Sequence, residues 1–186
     1  EDLSMSVMNT FSGKIFDPMT ITAEDICTED IAHALSLLCR GGGHLASFYS
    51  VGLHSLNCAK EAKARGWSER LQLACLLHDA SEAYISDIIR PVKVHLANYL
   101  EIEGQIMNQI WKKYGLDDLN EEERRIWKTI DDDILAFELK ALMNGEQSRA
   151  LPPLSSSPDV SERDWKDIEQ EFLETATFLQ GEIEKS

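Results

Sequence analysis

The residues best equipped for chemistry lie in one block, Leu71-Gln72-Leu73-Ala74-Cys75-Leu76-Leu77-His78-Asp79-Ala80-Ser81-Glu82. Leu71, Ala74 and Cys75 recur at helical spacing, and His78 and then Glu82 continue the same face, because 3.6 residues per turn stack positions i and i+4. Burying an imidazole and a carboxylate among apolar side chains is unfavourable unless they are paired or bound to a cation. Asp79 adjoins His78 and converges on the same point if the helix ends nearby, as Asp87 and Pro91 imply. A single inward His is most simply a hydrogen-bonded core residue. A His-Asp pair followed by Glu82 and Asp87 is better read as a site.

Further donors must come from other helices. His54 shares an apolar stripe with Val51, Cys58 and Ala62. His33 falls where it is either exposed or packed, His44 follows a glycine run, and the face of His95 is not fixed by its neighbours. Of the consecutive acids Asp131, Asp132 and Asp133, helical periodicity turns Asp132 away from the apolar arc of Ile126, Trp127, Ile130, Ile134 and Phe137. Asp131 and Asp133 flank that arc, and Leu135 and Leu142 lean it towards Asp131. A solvated acidic run is the competing reading. Two imidazoles and two carboxylates form a mixed N/O set that suits a divalent transition ion such as Mn, Fe, Co, Ni or Zn better than calcium. Such an ion lowers the pKa of a bound water and polarises a phosphoryl oxygen. Glu82 and Asp87, close to this set, suit proton transfer.

The elements that position these groups read as helices throughout. The period becomes helical from Thr22, through Ile26, Ile31, Ala34, Leu35 and Leu38, and stops at Gly41-Gly42-Gly43. A second helix is expected from Ser50 to about Arg65, ended by Gly66, and a third after the N-cap Ser68. A fourth spans Leu96 to Tyr114, and a fifth runs from Asn120, with Glu123 in the capping-box position, to about Met143. Residues 144–158, with Gly145, Pro152, Pro153 and Pro158, form a loop or hinge before a last helix over Ser161 to Glu184. Residues 12–19 are an extended lead-in, and strand-like alternation is absent. The expected fold is an all-α bundle.

Composition sets limits on partners. Eighteen Lys and Arg against 33 Asp and Glu give a net charge of −15, a field that repels nucleic-acid polymers and anionic membranes. Any anionic substrate must be small, with a local cation to offset that field. Cys27, Cys39, Cys58 and Cys75 lie 12, 19 and 17 positions apart, without the close pairs of zinc ribbons or redox motifs, and read as reduced thiols. No membrane-length apolar run or signal pattern is visible, so a cytoplasmic location is expected.

The order His54, His78-Asp79, Asp131 on an all-α chain resembles the HD-domain metal-dependent phosphohydrolases. More narrowly, Tyr49-Ser50-Val51 leading to His54-Ser55, the block His78-Asp79-Ala80-Ser81-Glu82-Ala83-Tyr84 with Asp87, Arg90-Pro91-Val92-Lys93, and Asp131 seven residues before Glu138 are similar to the YfbR-like 5′-deoxynucleotidase branch. The likeness spans roughly residues 10 to 145. It implies an HD helical bundle over 21–145, after a lead-in (1–20) and before a loop (146–160) and a packed C-terminal helix (161–186). It implies one divalent ion, Mn, Co, Fe, Ni, Zn or Mg, held by His54, His78, Asp79 and Asp131. Glu82 and Asp87 take the catalytic acid positions, and Arg40 stands near the family's phosphate-binding Arg; Lys93 is a further candidate to hold phosphate. Gly41 stands where these enzymes carry Trp, and Gly52 and Leu53 stand where Ala and Glu or Gln are usual.

The implied activity is hydrolysis of a small phosphate monoester, a (deoxy)nucleoside 5′-monophosphate foremost, by a protein whose relatives are often homodimers. An HD-type hydrolase of a triphosphate, cyclic or alarmone nucleotide is the alternative within the enzymes. A metal- and nucleotide-binding module with little turnover and a purely structural helical protein are the alternatives outside them.

Overall fold

The computed structural model describes residues 6–186, so the first five residues of the expected lead-in lie outside the described residues. Eight α-helices are present among them: α1 (Thr28–Leu37), α2 (Val51–Ala64), α3 (Glu69–Leu77), α4 (Glu82–Ile85), α5 (Arg90–Lys93), α6 (Ala97–Lys113), α7 (Glu121–Leu142) and α8 (Trp165–Lys185). The bundle is the all-α fold that the sequence implies. The lead-in, however, folds back as a short antiparallel hairpin, β1 (Met8–Asn9) on β2 (Ile15–Phe16), in the register Met8 to Phe16. The buried Asp30 carboxylate ties it to α1 by accepting from Ser12 N–H (2.7 Å) and the Ser12 hydroxyl (2.9 Å).

Helices α2 and α3 form the centre. Each is buried along most of its length, with α1, α7 and α8 packed against them. The approach of α1 to α2 depends on Gly52, where a Cβ would stand 3.2 Å from the backbone C and O of Leu35 and 3.1 Å from Ile168 Cγ2. This close approach favours glycine at position 52. Leu53, the other departure, is a core residue at 1% exposure. Along α8, Ile168, Phe172, Ala176 and Leu179 are buried. The three larger side chains contribute roughly 5–9 kcal/mol of apolar transfer free energy.

Capping follows the sequence closely. Ser50, Ser68 and Asn120 each accept a backbone N–H of the first turn, and Asn120 with Glu123 completes a capping box. Two expected helix starts move. The chain from Thr22 closes as a turn, in which Asp25 Oδ2 accepts from Thr22 N–H (2.8 Å) and its hydroxyl (2.9 Å), so α1 begins only at Thr28. Likewise Asp159 holds Ser161, and α8 begins at Trp165 behind an Asp164 cap.

The third helix departs most usefully from expectation. Instead of continuing to Glu82 it ends at Leu77, and the next residues tighten into i to i+3 turns: Ala80 N–H bonds Leu77 O (2.9 Å) and Glu82 N–H bonds Asp79 O (3.0 Å). A tighter turn changes which residues share a face. Here it lets the adjacent His78 and Asp79 point at one centre, which a regular helix forbids.

Candidate metal centre

Three helices and one turn converge on this centre. His54 projects from the first turns of α2, His78 and Asp79 from the end of α3, and Asp131 from the middle of α7. His54 Nε2 lies 3.2 Å from His78 Nε2 and 3.1 Å from Asp131 Oδ1, and His78 Nε2 lies 3.4 Å from the same oxygen. Asp79 Oδ2 is 3.3 Å from His78 Nε2 and 3.7 Å from His54 Nε2. Both imidazoles are buried, and both acids keep about a fifth of their side chain exposed, at 21% and 19%. The centre therefore opens to solvent on its carboxylate side.

The far nitrogen of each ring fixes its tautomer. His78 Nδ1 sits 2.7 Å from the Cys75 carbonyl, which can only accept, and His54 Nδ1 sits 2.7 Å from the ionised Glu138 carboxylate. Both Nδ1 atoms therefore carry a proton, and in the neutral rings both Nε2 atoms are bare lone pairs. Two such acceptors, 3.2 Å apart, each lie 3.1 to 3.7 Å from an oxygen of Asp131 and of Asp79, and in the neutral rings these lone pairs repel unless a cation lies among them. Metal bonds of about 2.0–2.2 Å place neighbouring ligand atoms roughly 3.0–3.6 Å apart in octahedral or tetrahedral shells. The donor set and its spacings fit a divalent ion.

The electrostatics carry the same demand. Burial alone pushes both imidazoles towards neutrality, yet the surrounding acids win: Asp79 and Asp131 lift His78 well above its ordinary pKa, and Glu138 and Asp131 lift His54. Conversely, the imidazoles outweigh the cost of burial at Asp79 and Asp131 and hold both carboxyls low. A positive charge is wanted at this point whether a proton or a metal supplies it.

Three residues named in the sequence motifs without a role there complete the surroundings. Glu138, two turns after Asp131 on α7 and 2% exposed, accepts from His54 and from the Tyr49 hydroxyl (2.6 Å), and its other oxygen lies 3.4 Å from Arg40 Nε. Cys58, one turn after His54, places Sγ 3.5 Å from His54 Nε2, and burial pushes this thiol up so that it stays protonated. The i+7 and i+4 spacings were the available signals. Tyr49 precedes α2 and carries no helical periodicity to reveal it.

The remaining sequence candidates divide clearly. Arg40, in a tight turn before the glycines, reaches Asp79 Oδ2 (3.1 Å) and Glu138, so its guanidinium is an inner ion-pair partner. Glu82 is 3% exposed with Oε2 lacking any partner, and burial together with the charges of Asp79 and Asp87 raises its pKa well above the carboxylate range. Lys93 stands at 3.7 Å from Glu82 and bonds Glu103 at 2.8 Å. Asp87 is half-buried in the loop between α4 and α5. Asp132 and Asp133 are occupied elsewhere, by Arg90 and Arg65 respectively. His33 stacks on Phe11 and faces Glu169, while His44 and His95 are exposed; none of the three joins the centre.

The HD domain family matches residues 44–150, more than half of the chain and all of the centre. The chain belongs to the HD-domain family. It is 42% identical over 112 residues to the uncharacterised protein YfdR of Escherichia coli K12, covering 60% of each chain. A second uncharacterised protein, from Rhodobacter capsulatus, is 39% identical over 111 residues and 56% of each chain. The shared region thus spans under two thirds of these relatives. The clustered His54, Cys58, His78 and Asp131 could hold a divalent ion, and such a site is compatible with a metal-dependent hydrolase of the HD superfamily. No helix among the described residues is long and apolar enough to cross a membrane.

Proposed function

We propose that this HD-domain protein hydrolyses a small phosphate monoester, most closely a (deoxy)nucleoside 5′-monophosphate, in the manner of the YfbR-like 5′-deoxynucleotidases. The observation that carries the reading is the convergence of two imidazole nitrogens and two carboxylates beside a buried acid whose pKa is raised. His54, His78, Asp79 and Asp131 would hold the ion. When bound, it supplies an acidified water and a polarised phosphoryl oxygen.

The chain's own residues supply the rest. Glu82, whose pKa burial and the charges of Asp79 and Asp87 push well above the carboxylate range, would hold a proton to give to the departing alkoxide oxygen. Asp87, nearer the surface, accepts the proton shed by the attacking water. Arg40 keeps Asp79 ionised and oriented, and together with Lys93 it faces the phosphate. Lys93 remains cationic, since Glu103 and Glu82 outweigh its partial burial. A cytoplasmic homodimer completes this reading.

Metal analysis of the purified protein, followed by phosphate release from a panel of nucleoside mono-, di- and triphosphates with Mn2+, Co2+ or Mg2+, tests it. Release from monophosphates, abolished in Asp79→Ala together with the bound metal, is expected. Release of pyrophosphate or triphosphate instead moves the substrate class. No release at all, with metal content indifferent to Asp79→Ala, removes the reading.

A further inference from the structure

A buried hydrogen-bonded chain leads from His54 to a segment beyond the family-matched residues. Glu138 Oε1, which accepts from His54, also accepts from the Tyr49 hydroxyl at 2.6 Å. That hydroxyl accepts in turn from Asn57 Nδ2 at 2.9 Å. The same Asn57 amide clasps the backbone of Asp159, donating to its carbonyl (2.8 Å) and accepting its N–H (3.0 Å). Tyr49, Asn57 and Glu138 are 1–2% exposed, so water does not substitute for a lost link. The directions are forced, because an ionised Glu138 can only accept and the tyrosine must spend its proton there. Glu61, also on α2, holds the same segment a second time through the N–H groups of Ser155 and Ser156 (2.8 Å each).

We propose that Tyr49 and Asn57 are positioning residues that join the 155–159 segment to the His54 imidazole, so that seating of this segment and uptake of metal strengthen one another. The proposal rests on the metal-centre reading above. Glu138 fixes the tautomer and plane of the His54 ring, Tyr49 fixes Glu138, and Asn57 holds Tyr49 in register while Asp159 occupies its other edge. Partners of a ligating histidine set metal affinity by about 10–100-fold, and Tyr49 stands one bond further out, at the lower end. Coupling between two equilibria is reciprocal, so metal must stabilise the seated segment by the factor that the segment lends the metal.

The test is Mn2+ titration calorimetry on the full chain, comparing wild type with Tyr49→Phe, Asn57→Leu and the control Asp30→Asn, which loosens a buried carboxylate of the hairpin junction. Tyr49→Phe and Asn57→Leu bind Mn2+ about tenfold more weakly, while Asp30→Asn loses stability without losing affinity. Tyr49→Phe removes a single oxygen and keeps the ring buried, so it remains measurable if Asn57→Leu does not fold. In parallel, hydrogen exchange of the Asp159 amide slows about tenfold with saturating Mn2+ in wild type and is unmoved in Tyr49→Phe. Equal affinities in Tyr49→Phe and wild type, or an Asp159 amide indifferent to Mn2+, overturn the coupling and leave the metal reading intact. A wild type that takes up no Mn2+ overturns both.

Discussion

Replacing Glu61 by Gln changes one atom type at the point where the loop after α7 is held to the core. The Glu61 carboxylate is fully buried and accepts from Ser155 N–H (2.8 Å), Ser156 N–H (2.8 Å), the Ser156 hydroxyl and Arg65 Nε (2.7 Å), while Arg65 also bonds Asp133 (2.8 Å). Burial by itself raises the pKa of this acid, but the donors together outweigh it and hold the group below its ordinary value. In Glu61→Gln one oxygen survives and the other becomes an NH2 group facing donors. A hydrogen bond to a charged acceptor is worth about 1.5–3 kcal/mol, and a buried donor left open costs about 1–3. A loss of roughly 2–4 kcal/mol at neutral pH follows, since the two terms overlap.

The pH dependence gives the sharper check. An acid whose folded pKa is depressed stabilises fully above its unfolded value, about 4.3, and ceases to do so as pH falls through the lower folded value. Urea denaturation of wild type and Glu61→Gln should therefore show a wide gap near neutrality that closes below about pH 4. A gap under about 0.5 kcal/mol at neutral pH refutes the reasoning, and so does one that persists unchanged in acid.

Other outcomes follow from the same geometry. Mn2+ at about 100 times its Kd stabilises wild type by about 2.7 kcal/mol, a rise of roughly 5–10 °C in Tm for a chain of this size; in Asp131→Asn, which folds but lacks an inner carboxylate, scanning calorimetry shows no such rise. Glu82→Gln keeps its volume but cannot give up a proton, so phosphate release falls about 10²–10⁴-fold while elemental analysis finds unchanged metal content. Gly52→Ala forces a Cβ against the Leu35 backbone and Ile168, costing about 1–3 kcal/mol in denaturant titration, and a stability equal to wild type contradicts the close approach of α1 to α2.

What sequence made visible here was chemistry set against periodicity. His54 and His78 stand out because a polar ring on an apolar stripe needs a partner, and Asp131 because it flanks such a stripe; in space these residues and Asp79 come together. The break after Leu77 was not legible, since the apolar pattern continues through it and only backbone hydrogen bonding distinguishes a tightened turn from a helix. Glu138 belongs to the Asp131 motif in sequence, but its role does not show there, since its burial follows from the tertiary pairing with Tyr49, His54 and Arg40. Gly52 looked like a defect in a familiar motif until the Leu35 backbone was found against it. In each case the missing information was the identity of the neighbour.

The overall charge of −15 sits less awkwardly with a phosphate substrate once the centre is considered by itself. Asp79, Asp131 and Glu138 bring three negative charges there, Arg40 brings one positive, and Glu82 is neutral while protonated. A divalent ion with two neutral imidazoles brings that sum to zero. Around the rim, Lys93 is paired with Glu103 and Arg90 with Asp132, so an approaching phosphate meets a locally neutral surface whose cations exchange one acid partner for another. Under the proposed reading a dianionic monoester would gain charge-assisted hydrogen bonds in that exchange. A triphosphate would bring more negative charge to the same Lys93 and Arg90, and this asymmetry is the ground on which the proposal prefers the monoester.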